Sequence, residues 1–175
     1  MDEEPILFYT RDGEYGFLSN FTRAEQMCMI PPWVRGSGDI PIRFPTNEHY
    51  FQACKADNIE TFLWIVGARD EDDSNPFLAM KAGRSLRPGK ELVDGWDDLR
   101  VGVMLDGLRA KFSQNADLKE KLLATGDRPI HEDSPTDSFW GWNAPSQGNI
   151  PQPGFGKDML GKLLVQVREE LLIRN

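Results

Sequence analysis

Apolar residues recur at every third or fourth position over long parts of the chain, which is the spacing of an amphipathic helix. Met104, Leu108 and Phe112 follow at intervals of four and predict a core-facing helix over Leu99–Phe112. A second long amphipathic helix is predicted from Asp158 onward. Its apolar positions are Leu160, Leu163, Leu164, Val167 and Leu171. These two stripes indicate a mainly helical core.

Capping residues mark the starts of shorter helices earlier in the chain. Thr46 is the predicted N-cap of a helix through about Ala56, because a threonine oxygen accepts a bond from an N–H group of the first turn. The apolar segment Ile59–Val66 predicts the next helix. Asn75 precedes a proline, which is favoured at the first helical position, and Gly83 is the predicted stop of that helix.

Strand signals are weaker and lie towards the N-terminus. Ile6–Thr10 predicts a short strand, and Gln26–Ile30 and Ile40–Phe44 are two further candidates. We therefore predict an α+β fold, a single compact, mainly helical domain over residues 1–175 with a small antiparallel sheet in its N-terminal third. The length agrees with one domain, because domains cluster at roughly 100–150 residues.

The composition is that of an ordinary globular protein, with 39% hydrophobic and 27% charged residues. The formal net charge is −8. Because a net-negative surface repels phosphate backbones, we exclude non-specific binding of nucleic acid. A local basic pocket is compatible with this charge.

The chain has two cysteines and two histidines, and they form no cluster with the spacing of metal ligands. It also lacks a Gly-x-Gly-x-x-Gly turn. We therefore expect neither a metal nor a nicotinamide cofactor. The apolar run Phe62–Val66 is too short to span a bilayer, and Met1–Pro5 lacks the features of a signal peptide. A cytoplasmic protein without a membrane partner is the expectation, and its oligomeric state stays open.

Thr46–Lys55 is the first segment with candidate chemistry. Glu48, Gln52 and Lys55 are spaced i, i+4 and i+7, so a helix places them in one polar row. A carboxylate, an amide and an amine in one row can bind and act on a polar ligand. The alternative is an exposed polar face with a glutamate that only favours the helix start, and the spacing does not decide between the two.

Asp127–Lys157 is irregular, and loops of this length in compact domains are usually functional or disordered. Its part His131–Trp142 combines three acidic and three aromatic residues. This is typical of a pocket wall where a flat ring stacks and carboxylates receive protons. The alternative is a surface loop anchored by one or two aromatics. In a third segment, Tyr15–Phe21, Ser19 and Asn20 donate to a ligand or close a turn.

These three segments, in this order, resemble the YbiA-like N-glycosidases, also called the NADAR group for its link to NAD and ADP-ribose. The matching motifs are Tyr15–Phe21, Glu48–Lys55, Gly83-Arg84, Asp94–Trp96, Met104–Phe112, Leu122–Gly126, Glu132–Gly141 and Leu160–Arg168. The resemblance covers almost the whole chain. The chain differs at Asp158, where the family pattern has Asn, and its segments 26–44 and 148–155 are longer than the family minimum.

The resemblance implies hydrolysis of the C–N bond between a ribose and a base or amine. Such a reaction passes through a transition state with oxocarbenium character, which a nearby carboxylate stabilises. A carboxylate can also activate water or move a proton. The resemblance thus predicts Glu48 and Asp137 as catalytic carboxylates. In an alternative route, the Lys55 amine forms a Schiff base with the open-chain sugar.

The same resemblance implies a set of substrate-binding residues and no cofactor. Its members are Ser19, Asn20, Phe21, His49, Gln52, Arg84, Trp96, Lys111, Glu132, Trp140, Gly141 and Asp158. Within this set the tryptophans hold the base, and Arg84 and Lys111 hold a phosphate. If residue 158 touches the ligand, Asp158 changes the charge there. We expect Ser19–Phe21, Glu48–Lys55 and Asp137–Trp142 to share one cleft.

Three functions with nucleotide-like small-molecule ligands stay open. The first is an N-glycosidase for a ribosylamino-pyrimidine phosphate of riboflavin metabolism. The second removes ADP-ribose from guanine, free or in nucleic acid, where a single extruded base needs few backbone contacts. The third is a non-catalytic module that binds ADP-ribose or another nucleotide. Glu48 and Asp137 weigh against the third function, since a pure binder does not need acids near its ligand.

Overall fold

A computed structural model describes residues 4–25, 27–32, 40–70, 74–145 and 151–173. The elements in chain order are β1 (Ile6–Phe8), a 3-10 turn (Gly16–Leu18), β2 (Cys28–Met29), β3 (Ile42–Arg43), α1 (Asn47–Ala53), α2 (Ile59–Val66), α3 (Pro76–Ser85), α4 (Trp96–Gln114), α5 (Ala116–Leu123), β4 (Ile130–Glu132), β5 (Ala144–Pro145), β6 (Pro151–Gln152) and α6 (Met159–Ile173). The predicted α+β class with a helical majority is confirmed.

The chain falls into two compact units. The terminal unit contains residues 1–22 and 116–175, and the central unit contains residues 23–115. The expectation of one domain over residues 1–175 stays a prediction. No helix among the described residues is long and apolar enough to cross a membrane.

Helix α1 forms the middle of the central unit and contacts α2, α3 and α4. All seven of its residues are buried. On its apolar side, the Phe44 ring meets the rings of Tyr50 and Phe62 edge-on, at 5.2 and 6.0 Å between centroids. Such pairs add to the stabilisation from area burial. The polar row of α1 therefore lies inside the unit.

Three of the predicted helix signals are confirmed. The Thr46 side chain accepts a bond from the N–H group of His49, and α2 has the predicted bounds. The Asn75 side chain caps α3, which begins at a proline. The predicted stop at Gly83 is wrong, because α3 continues to Ser85. Gly83 is instead buried inside the helix.

The strands only partly match the prediction. β2 and β3 form the expected small antiparallel pair, and they lie within the candidate segments Gln26–Ile30 and Ile40–Phe44. Gln26 itself lies outside the described residues. β1 does not join them. It pairs in parallel with β4, with Leu7 opposite His131. Parallel partners need a long crossover, here more than a hundred residues, and local alternation does not reveal such a partner.

In the terminal unit, α6 packs against β4. Its buried residues include all five predicted apolar positions. A run of backbone hydrogen bonds joins the start of α6 to the loop after β4. The N–H groups of Asp158, Met159 and Leu160 donate to the carbonyls of Gly141, Phe139 and Trp140, respectively, at 3.0–3.2 Å. These bonds satisfy donors that a helix start otherwise leaves unpaired, and they hold the loop on the helix.

Candidate active site

The polar row of α1 is buried, so the alternative of an exposed polar face is wrong. Glu48 is 6% exposed and Gln52 is 4% exposed. The Gln52 Nε2 atom donates to Glu48 Oε1 at 2.7 Å. The pair is therefore a carboxylate of fixed orientation, held by the side chain one turn later.

Gly83 explains why Gln52 has this orientation. The α carbon of Gly83 lies against the Gln52 side chain, and a methyl group at this position would overlap the Gln52 Oε1 atom. Any larger residue would push the amide away from Glu48. The glycine of the Gly83-Arg84 motif is thus required by close packing of α3 on α1 rather than by a helix end.

Lys55 follows α1 and lies beside two aromatic rings. Its Nζ atom is 5.3 Å from the centroid of the Phe51 ring and 5.7 Å from that of Trp96. The two rings pack against each other at 5.1 Å. The pKa of Lys55 is lowered to about 8, mainly by burial; the negative charge of Glu48 opposes this shift, and the positive charges of Arg84 and Arg100 contribute to it. The result is an amine with a substantial neutral fraction near physiological pH.

Arg100 is a functional candidate that the sequence prediction missed. It lies one turn after Trp96 on α4, so both side chains share a helix face. Its guanidinium is 3.3 Å from the exposed Asp97 carboxylate. Its charge acts on Lys55 together with that of Arg84, which is in the last turn of α3. The spacing from Trp96 is the signal that could have revealed it.

Two predicted substrate-binding residues of the central unit, His49 and Lys111, are fully buried in the protein interior. The Nε2–H of His49 donates to the carbonyl of Ala68 at 3.0 Å, which leaves Nδ1 to accept from the Thr46 hydroxyl at 2.9 Å. The Lys111 Nζ atom lies 5.0 Å from the centroid of the Phe112 ring. Contact of either residue with substrate stays a prediction, and neither belongs to the site proposed below.

In the terminal unit, the Asp137–Gly141 motif forms a tight turn. Asp137 Oδ1 accepts the N–H groups of Phe139 and Trp140, both at 2.9 Å. A methyl group on Gly141 would collide with the Ser134 side chain and the Asp137 carbonyl. Asp137 therefore fixes the backbone of Trp140, in addition to any catalytic role.

Two other predicted regions of the terminal unit are also partly buried. The Ser19 hydroxyl accepts from the N–H group of Phe21 at 3.3 Å, which supports the turn-closing alternative. His131 Nδ1 lies 2.6 Å from Asp158 Oδ2. The Asp158 carboxylate, which replaces the Asn of the family pattern, thus has a histidine partner.

The predicted site residues divide between the two units. Glu48, Gln52, Lys55, Arg84 and Trp96 come together in the central unit. The terminal unit holds Ser19, Asn20, Phe21, Glu132, Asp137, Trp140, Gly141 and Asp158. The shared cleft stays a prediction.

The two segments that are longer than the family minimum, 26–44 and 148–155, include residues 26, 33–39 and 148–150, which lie outside the described residues. Within the described ranges, no group of three or more His, Cys, Asp and Glu could hold a metal ion.

The comparison with known proteins agrees with these motifs. The model of the NADAR domain family matches residues 7–172. The chain belongs to the NADAR family. It is 36% identical over 175 residues to N-glycosidase YbiA of Escherichia coli K12, covering 99% of this chain and 92% of that protein. N-glycosidase Npun_R5314 of Nostoc punctiforme is 32% identical, with 95% and 92% of the two chains covered.

Two further matches extend this picture of the NADAR domain. The riboflavin biosynthesis protein VVA0006 of Vibrio vulnificus is 35% identical over 97% of this chain, which spans only 39% of that relative's length. The NMR structure of E. coli YbiA matches with a TM-score of 0.70 at 32% identity. The match covers 99% of this chain and 88% of that one. The YbiA-like fold is therefore shown for this NADAR domain.

Proposed function

We propose that this NADAR domain is an N-glycosidase that hydrolyses the C–N bond between a phosphorylated ribose and a base or amine. The observation that carries the proposal is the buried pair on α1, in which Gln52 orients the Glu48 carboxylate, together with Lys55, which follows α1 and is partly desolvated beside two aromatic rings. The names of the E. coli and Nostoc relatives, both N-glycosidases, support the reaction type.

Glu48 is the group that stabilises the developing positive charge on the sugar. Its carboxylate is nearly excluded from water, where an electrostatic interaction is stronger than in solvent. Gln52 holds one oxygen. In a direct hydrolysis, this carboxylate takes a proton from the attacking water, the C–N bond breaks, and a proton goes to the leaving amine or base.

Lys55 supports a second route through the open-chain sugar. A ribosylamine opens to an imine, the neutral Lys55 amine adds to C1′, and the original amine leaves as the lysine imine forms. Water then hydrolyses this imine and returns the sugar aldehyde and the free lysine. With a pKa of about 8, about a quarter of Lys55 is neutral at pH 7.5, against about 0.1% at the ordinary value. This neutral fraction favours the Schiff-base route.

A phosphate on the ribose fits the charges around Lys55. Arg84, Arg100 and Lys55 bring three basic groups near two carboxylates, Glu48 and the exposed Asp97, although the chain carries a net charge of −8. Arginine binds phosphate through two parallel N–H bonds, which makes it suitable for this role. The name of the Vibrio relative supports a ribosylamino-pyrimidine phosphate as the substrate, and ADP-ribosylated guanine is the second candidate.

The proposal is tested by Glu48→Gln, a nearly isosteric change that removes the charge. We expect turnover of ribosylamine phosphates to fall by about 10²-fold or more, as for loss of a general base. The matched control is Glu60→Gln, which removes an exposed first-turn carboxylate of α2. Near-normal turnover by Glu48→Gln would overturn the assignment.

The two routes are separated by borohydride, which reduces a lysine imine to a stable amine. The Schiff-base route predicts a sugar adduct on Lys55 of the unmodified protein, and no turnover for Lys55→Met. If no adduct forms during turnover and Lys55→Met changes mainly KM, the direct route is correct.

A further inference from the structure

One pair of side chains joins β4 to the start of α6, at the two ends of the segment that contains β5 and β6. His131 lies in the middle of β4, and Asp158 is the residue before α6. The distance of 2.6 Å between His131 Nδ1 and Asp158 Oδ2 is that of a short, charge-assisted hydrogen bond. The pair therefore joins two positions that are 27 residues apart.

Both partners are held in place by their neighbours. The His131 ring lies nearly parallel to the Trp142 ring, with centroids 4.6 Å apart and 12° between the planes. Asp158 has φ of 54°, in the left-handed region that few residues adopt, and its side chain is 9% exposed. A methyl group on Gly161 would lie 2.7 Å from Asp158 Oδ1, so the first turn of α6 leaves room for the carboxylate.

The charges around this pair explain why Asp158 needs His131. Burial raises the pKa of Asp158, and the hydrogen bond and charge of His131 are the largest influences that oppose the shift. The backbone N–H of Glu132 and the Lys162 amine oppose it too. A carboxylate buried without a compensating partner is costly, so removal of His131 forces Asp158 to move or to take up a proton.

The segment closed by this pair carries the aromatic motif. The carbonyls of residues 138–142 all accept hydrogen bonds from the N–H groups of residues 156–160. In addition to the three bonds given above, Gly156 donates to Trp142 and Lys157 donates to Ser138, both at 2.8 Å. Trp140 is fixed on both sides, because its N–H is bonded to Asp137 and its carbonyl to Leu160. The position of Asp158 thus determines where the backbone of Trp140 lies.

We propose that His131 and Asp158 are positioning residues, which act through the start of α6 to set the orientation of Trp140 for its ligand. This inference takes Trp140 as a residue that contacts the base, as the family resemblance implies, and it rests on the proposed function only for its kinetic test. It also assigns a role to Asp158: its charge is directed to His131 and serves the conformation of the loop.

The test compares His131→Gln, Asp158→Ala and Asp158→Asn with Ser138→Ala, an exposed change in the same loop. The first readout is the set of indole N–H resonances, which needs no activity. We expect His131→Gln and Asp158→Ala to shift the resonances of Trp140 and Trp142, and to leave those of Trp64 and Trp96 in the central unit unchanged. Asp158→Asn should shift them less, because its amide oxygen still accepts from Nδ1–H.

The second readout is steady-state kinetics on a ribosylamine phosphate that the parent cleaves. We expect KM to rise about 10-fold in His131→Gln, with kcat within about 3-fold, as for a loss of uniform binding. The conservative Asp158→Asn should retain most of the parent's KM, and Ser138→Ala all of it. If His131→Gln does not fold, the two Asp158 variants make the same comparison.

The inference is overturned if folded His131→Gln or Asp158→Ala leaves the Trp140 resonance and KM unchanged. It is also overturned if resonances in both units shift alike, since the effect would then be global. If the parent cleaves no substrate, the proposed function fails, whereas the indole resonances still test the positioning role.

Discussion

The buried amine of Lys111 gives a quantitative prediction about stability. Lys111 is 0% exposed, and burial lowers its pKa from 10.5 to about 7. Between these two values, the unfolded chain binds more protons at this position than the folded protein does. The stability contributed by this group therefore rises with pH, and the penalty is largest where the amine is forced to stay charged.

The magnitude follows from the two pKa values. At pH 7 the penalty is about 4 kcal/mol, and at pH 9 it is about 2 kcal/mol, since one pKa unit corresponds to about 1.4 kcal/mol. Lys111→Met keeps the length of the side chain and removes the titrating amine. We expect the gain in stability of this variant over the parent, measured as the increase in the free energy of unfolding, to be about 2 kcal/mol larger at pH 7 than at pH 9.

The assay is urea unfolding at pH 7, 8 and 9, followed by circular dichroism. Lys121→Met is the matched control, because Lys121 is an exposed lysine in the last turn of α5. The free energy of unfolding of the parent is subtracted from that of the variant at each pH, which cancels the contribution of all other titrating groups. A difference that is the same at all three pH values would refute the reasoning that the folded protein holds Lys111 with a lowered pKa.

Three further predictions concern the site. Gly83→Ala should displace the Gln52 amide and reduce turnover by about 10-fold or more. The control is Gly102→Ala, which has open space around residue 102 and should retain activity and gain about 1 kcal/mol of stability. Equal turnover in both variants would contradict the packing argument. Arg100→Gln should raise KM for a ribose phosphate substrate by about 10-fold and leave KM for the unphosphorylated analogue unchanged. The control, Arg109→Gln, removes a similar ion pair with Asp106 on the same helix and should leave KM for both substrates unchanged. On the Schiff-base route, kcat/KM should rise with pH through an inflection near 8, the pKa of Lys55. Because the charge of Arg100 lowers that pKa, Arg100→Gln should move the inflection to higher pH. An inflection that does not move would show that Arg100 does not act on Lys55.

The elements with local signals were predicted best. The cap at Thr46, the bounds of α2 and the start of α3 depend on neighbouring residues, so the sequence contains the information. Gly83 was misplaced because a glycine is typical of a helix end, and only the packing of α3 on Gln52 shows another reason for it. The parallel partner of β1 was missed because that pairing is non-local.

The site was predicted in its residue types more than in its contacts. The spacing correctly placed Glu48 and Gln52 on one helix, but α1 ends at Ala53, before Lys55 and before the predicted end near Ala56. The burial of Glu48 and Gln52 depends on the packing of α3 and α4 on α1. Arg100 was missed because an arginine in a charged helix start is usually a surface residue. The resemblance implied that Lys111 binds phosphate, and its complete burial was not predicted. Its spacing of three from Leu108 and seven from Met104, on the core-facing stripe of α4, is the signal that could have indicated the burial.

Product analysis by mass spectrometry tests the central claim most directly. The parent and Glu48→Gln are incubated with a panel of ribosylamine 5-phosphates and with ADP-ribosylated guanosine. We predict that the parent releases a free amine or base and the corresponding sugar phosphate from at least one member, and that Glu48→Gln does so at least 10²-fold more slowly. Binding of these compounds by the parent without release from any of them would contradict the account and show a binding module instead.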